Sequence, residues 1–201
     1  IFGKPKVTHW RPIHNLYFAI GGSIFGKNYV GYHLMTLIVH VASGYLIFKT
    51  TRKIVASEKA AFVAAIIYLT NPSHFVSIYW ISGGATILGF FFFIASFYCY
   101  IREKKLLAGI LFALSLLASE AMAIGSLVFL AWTMFKGRLD ETKKFLIFIL
   151  VLTLLFLMMR FFVFTPPATF NAYRLDLSIK ILSSIKYYIA RIVGLPEAGS
   201  I

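Results

Sequence analysis

From residue 29 to residue 164 one pattern recurs: a long apolar run, then a short cluster of Lys and Arg. The first run, YVGYHLMTLIVHVASGYLIF, ends at Lys49, with Arg52, Lys53 and Lys59 close behind. The second, residues 60–70, leads into TNPSHFVSIYWISGG. The third, residues 83–101, ends at Arg102, Lys104 and Lys105. Residues 106–135 are apolar except for Glu120 near their middle, and Lys136, Arg138, Lys143 and Lys144 follow. The last run, FLIFILVLTLLFLMMRFFVF, ends before Thr165-Pro166-Pro167. A run of about 20 apolar residues spans the hydrocarbon of a bilayer as a helix. Inside hydrocarbon only a helix or a closed barrel satisfies its own backbone. The chain is therefore expected to be an all-α polytopic membrane protein.

Composition supports this and excludes other classes. The chain is 60% hydrophobic and 13% charged, where a soluble domain carries about 25% charged residues. Its net charge of +13 does not point to nucleic acid. The basic residues lie between apolar runs, where loops on the cytoplasmic side of membrane proteins collect them. The partner implied is the lipid bilayer. Cys99 is the single cysteine, so neither a disulfide nor a thiolate metal site can form within the chain.

Charge also predicts topology. If the three basic clusters share the cytoplasmic face, an even number of crossings must join each to the next. Residues 60–101 then form one hairpin, with 70–84 as its outer turn. Residues 106–135 must double back as well. Two helices of about 15 residues rise roughly 22 Å each, which gives a short hairpin with Ser119-Glu120 at its tip. The rival is one long tilted helix. The expected layout is a single partial membrane domain, truncated at both ends. Residues 1–27 close an outer loop and form an interfacial helix. Residues 28–164 hold the membrane helices, and 165–201 form an outer loop with an amphipathic helix, LDLSIKILSSIKYYIARIV. About six spanning or half-spanning helices result.

This topology gathers polar residues at one face: Trp10, Arg11, Pro12, His14, His33, His74, Glu120, Tyr173 and Arg174. Each also has a plain structural explanation. Arg11 can contact lipid headgroups. Glu120 can favour a helix N-terminus. His74 can be a polar turn residue. His33 and His40 lie seven residues apart on one helix face and suit hydrogen bonds to neighbouring helices better than metal. Metal sites want ligands three or four residues apart and a further carboxylate or histidine, so no divalent metal is expected. The run Phe90–Phe93 is expected to face lipid rather than hold a cofactor.

The ordered set WRPIHNLYFAIGGSIFG, YVGYHLMTLIVHVASGYLIF, NPSHFVSIYWISGGATIL, LLASEAMA and SIKILSSIKYYIARIVGLP resembles the membrane domain of GT-C glycosyltransferases. Within them the chain is most similar to the transmembrane O-mannosyltransferase-like proteins that carry tetratricopeptide repeats. The resemblance covers nearly the whole chain. Trp10, Arg11, Pro12 and Ile13 match the Tyr-Arg-Pro-Leu-like element. Gly31, Tyr32, His33 and His40 match a Gly-Tyr-His with a second His. Pro72 and His74 match a His-Pro-x-His segment, with Trp80, Ile81, Ser82 and Gly83 as its Trp-Ile-Ser-Gly. Glu120 matches the end of a Ser-Lys-Glu, and Tyr188 and Pro196 match a late Tyr before a turn. The departures are Val76 where relatives have Glu, Gly83-Gly84-Ala85-Thr86 where they have Gly-Arg-x-Asp, and Ser119 where they have Lys.

The resemblance implies sugar transfer from a polyprenyl-phosphate donor to an acceptor on the outer face. Such chemistry needs a cation for the lipid phosphate and a base for the acceptor hydroxyl. Arg11, His14, His33, His74 and Arg174 are the expected substrate-binding residues. Arg11 is preferred for phosphate because a guanidinium grips it bidentately. Arg160 could reach lipid phosphate by snorkelling. Glu120 and His74 are the candidates for catalysis. The family uses a carboxylate in its first outer loop, and here no Asp or Glu precedes Glu58. Either that carboxylate lies upstream of Ile1 or the protein lacks it. The alternative function is a non-catalytic subunit of a larger membrane complex. The location expected is the inner or plasma membrane, or the endoplasmic reticulum, with basic loops cytoplasmic.

Overall fold

The computed structural model describes residues 10–163. Every regular element among them is helical. In chain order they are α1 (Pro12–Phe25), α2 (Tyr29–Val55), α3 (Glu58–Thr70), α4 (Phe75–Tyr79), α5 (Gly84–Ile101), α6 (Lys105–Ala118), α7 (Gly125–Phe135) and α8 (Leu139–Met158). Single 3-10 turns at Pro72–His74, Ile81–Gly83 and Glu120–Ile124 join some of them, and a π turn, Met159–Val163, follows α8. The amphipathic helix expected in 175–193 lies outside the described residues.

Two elements are long and apolar enough to cross a membrane unaided: α2, and α5 with the turn before it. A third crossing arises if α3 and α4 count as one span bent by 42°. Helix α6 and the stretch Glu120–Phe135 are apolar but shorter. The surface has the polarity of a membrane protein. Leu34, Ile38, Val41 and Tyr45 form an exposed stripe on α2, and Ile147, Val151, Leu154 and Met158 form another on α8. Meanwhile Ser43, Ser96, Ser115 and Thr133 are buried. Small and hydroxylated residues let membrane helices approach closely.

The segment 106–135 is the short hairpin. Phe112 on α6 and Phe129 on α7 place their rings 5.5 Å apart, whereas one continuous helix would separate them by about 25 Å. Phe129 is fully buried and meets Phe97, Tyr100, Phe112 and Phe145 edge to face at 5.2–5.7 Å. This aromatic centre joins α5, α6, α7 and α8. Phe93 packs on Phe129 and Phe90 stacks on Tyr68, so this pair turns into the bundle rather than toward lipid. Ring edges and faces attract one another, a gain that acyl chains do not offer.

The three basic clusters lie at one end of the bundle. Arg138, after α7, bonds Glu103, after α5, at 2.6 Å. Lys105 donates to the Glu141 carbonyl at 3.3 Å, and Lys53 shares a cavity with Glu103 and Lys136. Helix α2 runs past its expected end at Lys49 through Arg52 and Lys53. Basic side chains suit the last turns of a helix, where its carbonyls carry partial negative charge.

The stretch 70–84 is more than a turn. Pro72 has no N–H, and the Ser73 amide is taken by the Asn71 side chain at 2.9 Å. The Leu69 carbonyl thus loses its helical partner, and His40 on α2 approaches it at 3.3 Å through Nε2. One turn earlier on α2, Thr36 lies against Gly84, and His33 reaches the Ile78 carbonyl at 3.3 Å. The histidines of α2 therefore patch the interruption between α3 and α5, as the hydrogen-bonding expectation for His33 and His40 requires.

Gly89 marks the contact of α5 with the hairpin tip. A Cβ there would stand 2.9 Å from Ser119 and 3.0 Å from Met122. Gly89→Val is expected to lower stability by about 1–3 kcal/mol through overpacking, read as a lower midpoint of thermal unfolding in detergent. Gly22→Ala, where the nearest atom is Tyr32 Oη at 3.5 Å, should leave the midpoint unchanged or raised.

Candidate functional site

The end of the bundle away from the basic clusters is built where two interruptions meet. Arg11 immediately precedes α1, and Pro12 is the first residue of that helix. A residue before proline is driven from helical toward extended backbone, and Arg11 has φ −133°. Its side chain is thereby directed away from the helix. Helix α1 packs on α2, α5 and α6, which carries Arg11 to the hairpin tip. There α6 ends at Ala118, and Ser119 is extended with φ −154°. The chain re-enters through the 3-10 turn that opens with Glu120.

Arg11 and Glu120 form a parallel two-pronged ion pair. Nε donates to Oε2 at 2.8 Å and Nη2 donates to Oε1 at 2.7 Å. The side chains are 23% and 29% exposed, so the pair is shielded on most sides. Such geometry suits a guanidinium better than an ammonium. The buried Arg160 in the π turn lies close enough for its charge to act on the same carboxylate. Trp10 packs toward Phe156 with ring centres 6.4 Å apart.

Arg11 also borders a polar cavity of about 350 Å³ shared with His14, Ser77, Trp80, Ser82 and Thr86. Its wall comes from α1 on one side and from the 70–84 stretch with the start of α5 on the other. His14 is buried, its Nε2 has no hydrogen-bond partner among the described residues, and its ring meets Phe18 edge-on at 4.6 Å. Burial, helped by the adjacent positive charge of Arg11, lowers its pKa to about 4. The imidazole in α1 is therefore neutral near pH 7.

The expected site residues divide into groups. Arg11, His14 and Glu120 come together. His33 lies in an adjoining groove with Tyr29, Tyr79 and Trp80; Trp80 and Ser82 border both spaces. His74 stands apart, packed between Tyr68 at 4.6 Å and His40 at 5.1 Å. The two candidates for catalysis, Glu120 and His74, are therefore not neighbours in one cavity. Tyr173 and Arg174 lie outside the described residues. No three His, Cys, Asp or Glu side chains among the described residues form a metal-binding group.

Two departures from the family pattern fall in this cavity. Val76 and Thr86 both line it, the positions for which the resemblance implies Glu and Asp. Asn15 and Ser77 line it too, with Ser82 of the Trp-Ile-Ser-Gly match; Asn15 and Ser77 did not stand out in the sequence, since single hydroxyl and amide residues carry no distinguishing spacing. The ion pair itself was also invisible, because its partners are 109 residues apart.

The chain is similar to several curated proteins over part of its length. It is 28% identical over 94 residues to the mouse protein O-mannosyl-transferase TMTC2, a match covering 47% of this chain and 11% of that protein. The human protein of the same name matches with the same identity and coverage. The Drosophila melanogaster protein O-mannosyl-transferase Tmtc1 is 24% identical over 125 residues, 59% of this chain and 15% of that protein. The match thus spans a small part of each relative. No family model and no solved structure matches the chain. These similarities agree with the resemblance to O-mannosyltransferase-like membrane proteins, over 47–59% of the chain rather than nearly all of it.

Removing either partner of the Arg11–Glu120 pair takes a two-pronged ion pair from the other in a shielded setting. Glu120→Ala and Arg11→Ala are each expected to cost about 1.5–3 kcal/mol. The double variant should cost less than their sum, with a coupling of about 1–3 kcal/mol. Thermal unfolding of all four proteins in one detergent checks this.

Proposed function

We propose that this integral membrane chain forms part of a glycosyltransferase that moves a sugar from a polyprenyl-phosphate donor to an acceptor hydroxyl. The carrying observation is the Arg11–Glu120 pair at the edge of a polar cavity, at the end of the bundle opposite the basic loops. By the distribution of Lys and Arg, the basic end faces the cytoplasm and the cavity faces the outside or the lumen. The similarity to protein O-mannosyl-transferases supports transfer of a sugar and favours mannose.

In this scheme the donor's phosphate lies against Arg11, and its lipid tail runs along the exposed apolar faces of the helices. Glu120 orients the guanidinium. As the acceptor oxygen bonds to the sugar's anomeric carbon, the bond to the phosphate oxygen breaks. Arg11 stabilises the negative charge that grows on the leaving phosphate, the kind of electrostatic contribution that dominates group transfer. The acceptor's proton passes to a base. Neutral His14 is suited to orient the acceptor, because it is buried at the cavity with no partner for Nε2 among the described residues; its lowered pKa makes it too weak a base to take the proton.

Two observations favour the second reading, a non-catalytic subunit. The cavity carries Val76 and Thr86 where the resemblance implies acids, and Glu120 is engaged by Arg11 rather than open to an acceptor.

The deciding assay supplies membranes holding the intact protein with polyprenyl-phosphate mannose and a Ser/Thr peptide. Arg11→Ala is expected to lower transfer by about 10²–10³-fold, and Arg11→Lys to recover only part of it because a bidentate grip is lost. Transfer by Arg11→Ala at the rate of the unaltered protein would remove Arg11 from the site. No transfer by the unaltered protein, with the bundle intact, would favour the non-catalytic reading.

A further inference from the structure

The opposite end of the bundle holds a second cavity, about 280 Å³, where α2, α5 and α7 converge. Its floor is the buried pair Tyr100 and Thr133, whose hydroxyls lie 2.6 Å apart. The charges around its mouth are unequal. Arg138 is matched by Glu103 and Glu141, each at 2.6 Å. Lys53 and Lys136 line the same cavity and take part in no ion pair among the described residues. The Lys136 ammonium lies 5.0 Å over the Trp132 ring, which holds it beside the opening. Two ammonium groups outside these ion pairs thus face one small space, and the charges around it remain positive in sum.

The apolar surroundings identify the source of the anion. Ile54, Ile101 and Trp132 are half-buried walls of the cavity. Beside it on α7, Met134 and Phe135 are 58% and 79% exposed. A soluble anion would leave that rim in water. A lipid would cover it with acyl chain while its phosphate meets the lysines. Tryptophan and basic side chains gather at the membrane interface, and basic pockets between membrane helices recognise anionic headgroups. We propose that this cavity binds the phosphate headgroup of an anionic phospholipid from the leaflet at the basic end of the bundle.

The test uses the intact protein in nanodiscs of equal phosphatidylglycerol and phosphatidylcholine, with retained lipid counted by native mass spectrometry. The unaltered protein should retain phosphatidylglycerol selectively. Lys53→Gln and Lys136→Gln should each reduce that selectivity by about fivefold, while the Lys53→Arg/Lys136→Arg variant keeps it. Lys59→Gln/Lys143→Gln, outside the cavity, should also keep it. Equal selectivity in the Lys53→Gln/Lys136→Gln variant would overturn the proposal. So would an equal loss in the Lys59→Gln/Lys143→Gln control, since attraction would then be diffuse. Retention of inorganic phosphate with no lipid preference would instead make this a soluble-anion site and would also overturn it.

Discussion

A backbone that enters hydrocarbon must bring its own hydrogen-bond partners, and the bundle is organised by that constraint. Where the helices are continuous it is met locally. Where they break, side chains from other helices must meet it. The interruption at Asn71-Pro72 leaves the Leu69 carbonyl without its helical partner, and His40 approaches it. His33 does the same at Ile78. These contacts tie α2 to the broken span and set where α5 begins.

The second interruption, at Ser119, lies at the same end of the bundle. Here the chain reverses within a few residues and places Glu120 at the tip. An ionised carboxylate so shielded needs a partner, and Arg11 supplies two aligned donors. The pair joins the segment before α1 to the hairpin tip and leaves a cavity against the 70–84 stretch. Both breaks in helical structure thus contribute to one polar site. The opposite end differs in kind: its loops are short, its charges are mostly basic, and its cavity is rimmed by apolar residues.

Much of this was legible in particular residues. The apolar runs and their basic ends predicted the helices. Arg102, Lys104 and Lys105 on one side, with Lys136 and Arg138 on the other, required an even number of crossings between them. That requirement predicted the hairpin at Ser119-Glu120. Periodicity cannot assign partners, however. His74 read as a companion of Arg11 because both belong to outer segments, yet packing sets it beside Tyr68 and His40. Phe90 and Phe93 read as lipid-facing, yet they turn into the bundle, since apolar composition is the same on a helix face toward lipid or toward another helix.

By itself the sequence determined that the chain is helical, that it belongs in a bilayer, and which ends of its helices lie together. Those properties follow from local composition, because hydrocarbon accepts only self-satisfied backbone and charge avoids it. Only the tertiary structure decided that Arg11 meets Glu120, that His14 shares a cavity with Arg11, and that Lys53 and Lys136 face one space. These are contacts between segments far apart in the chain. They depend on how helices pack, through side-chain shape and the placement of two helix breaks, and no local pattern of residues encodes that.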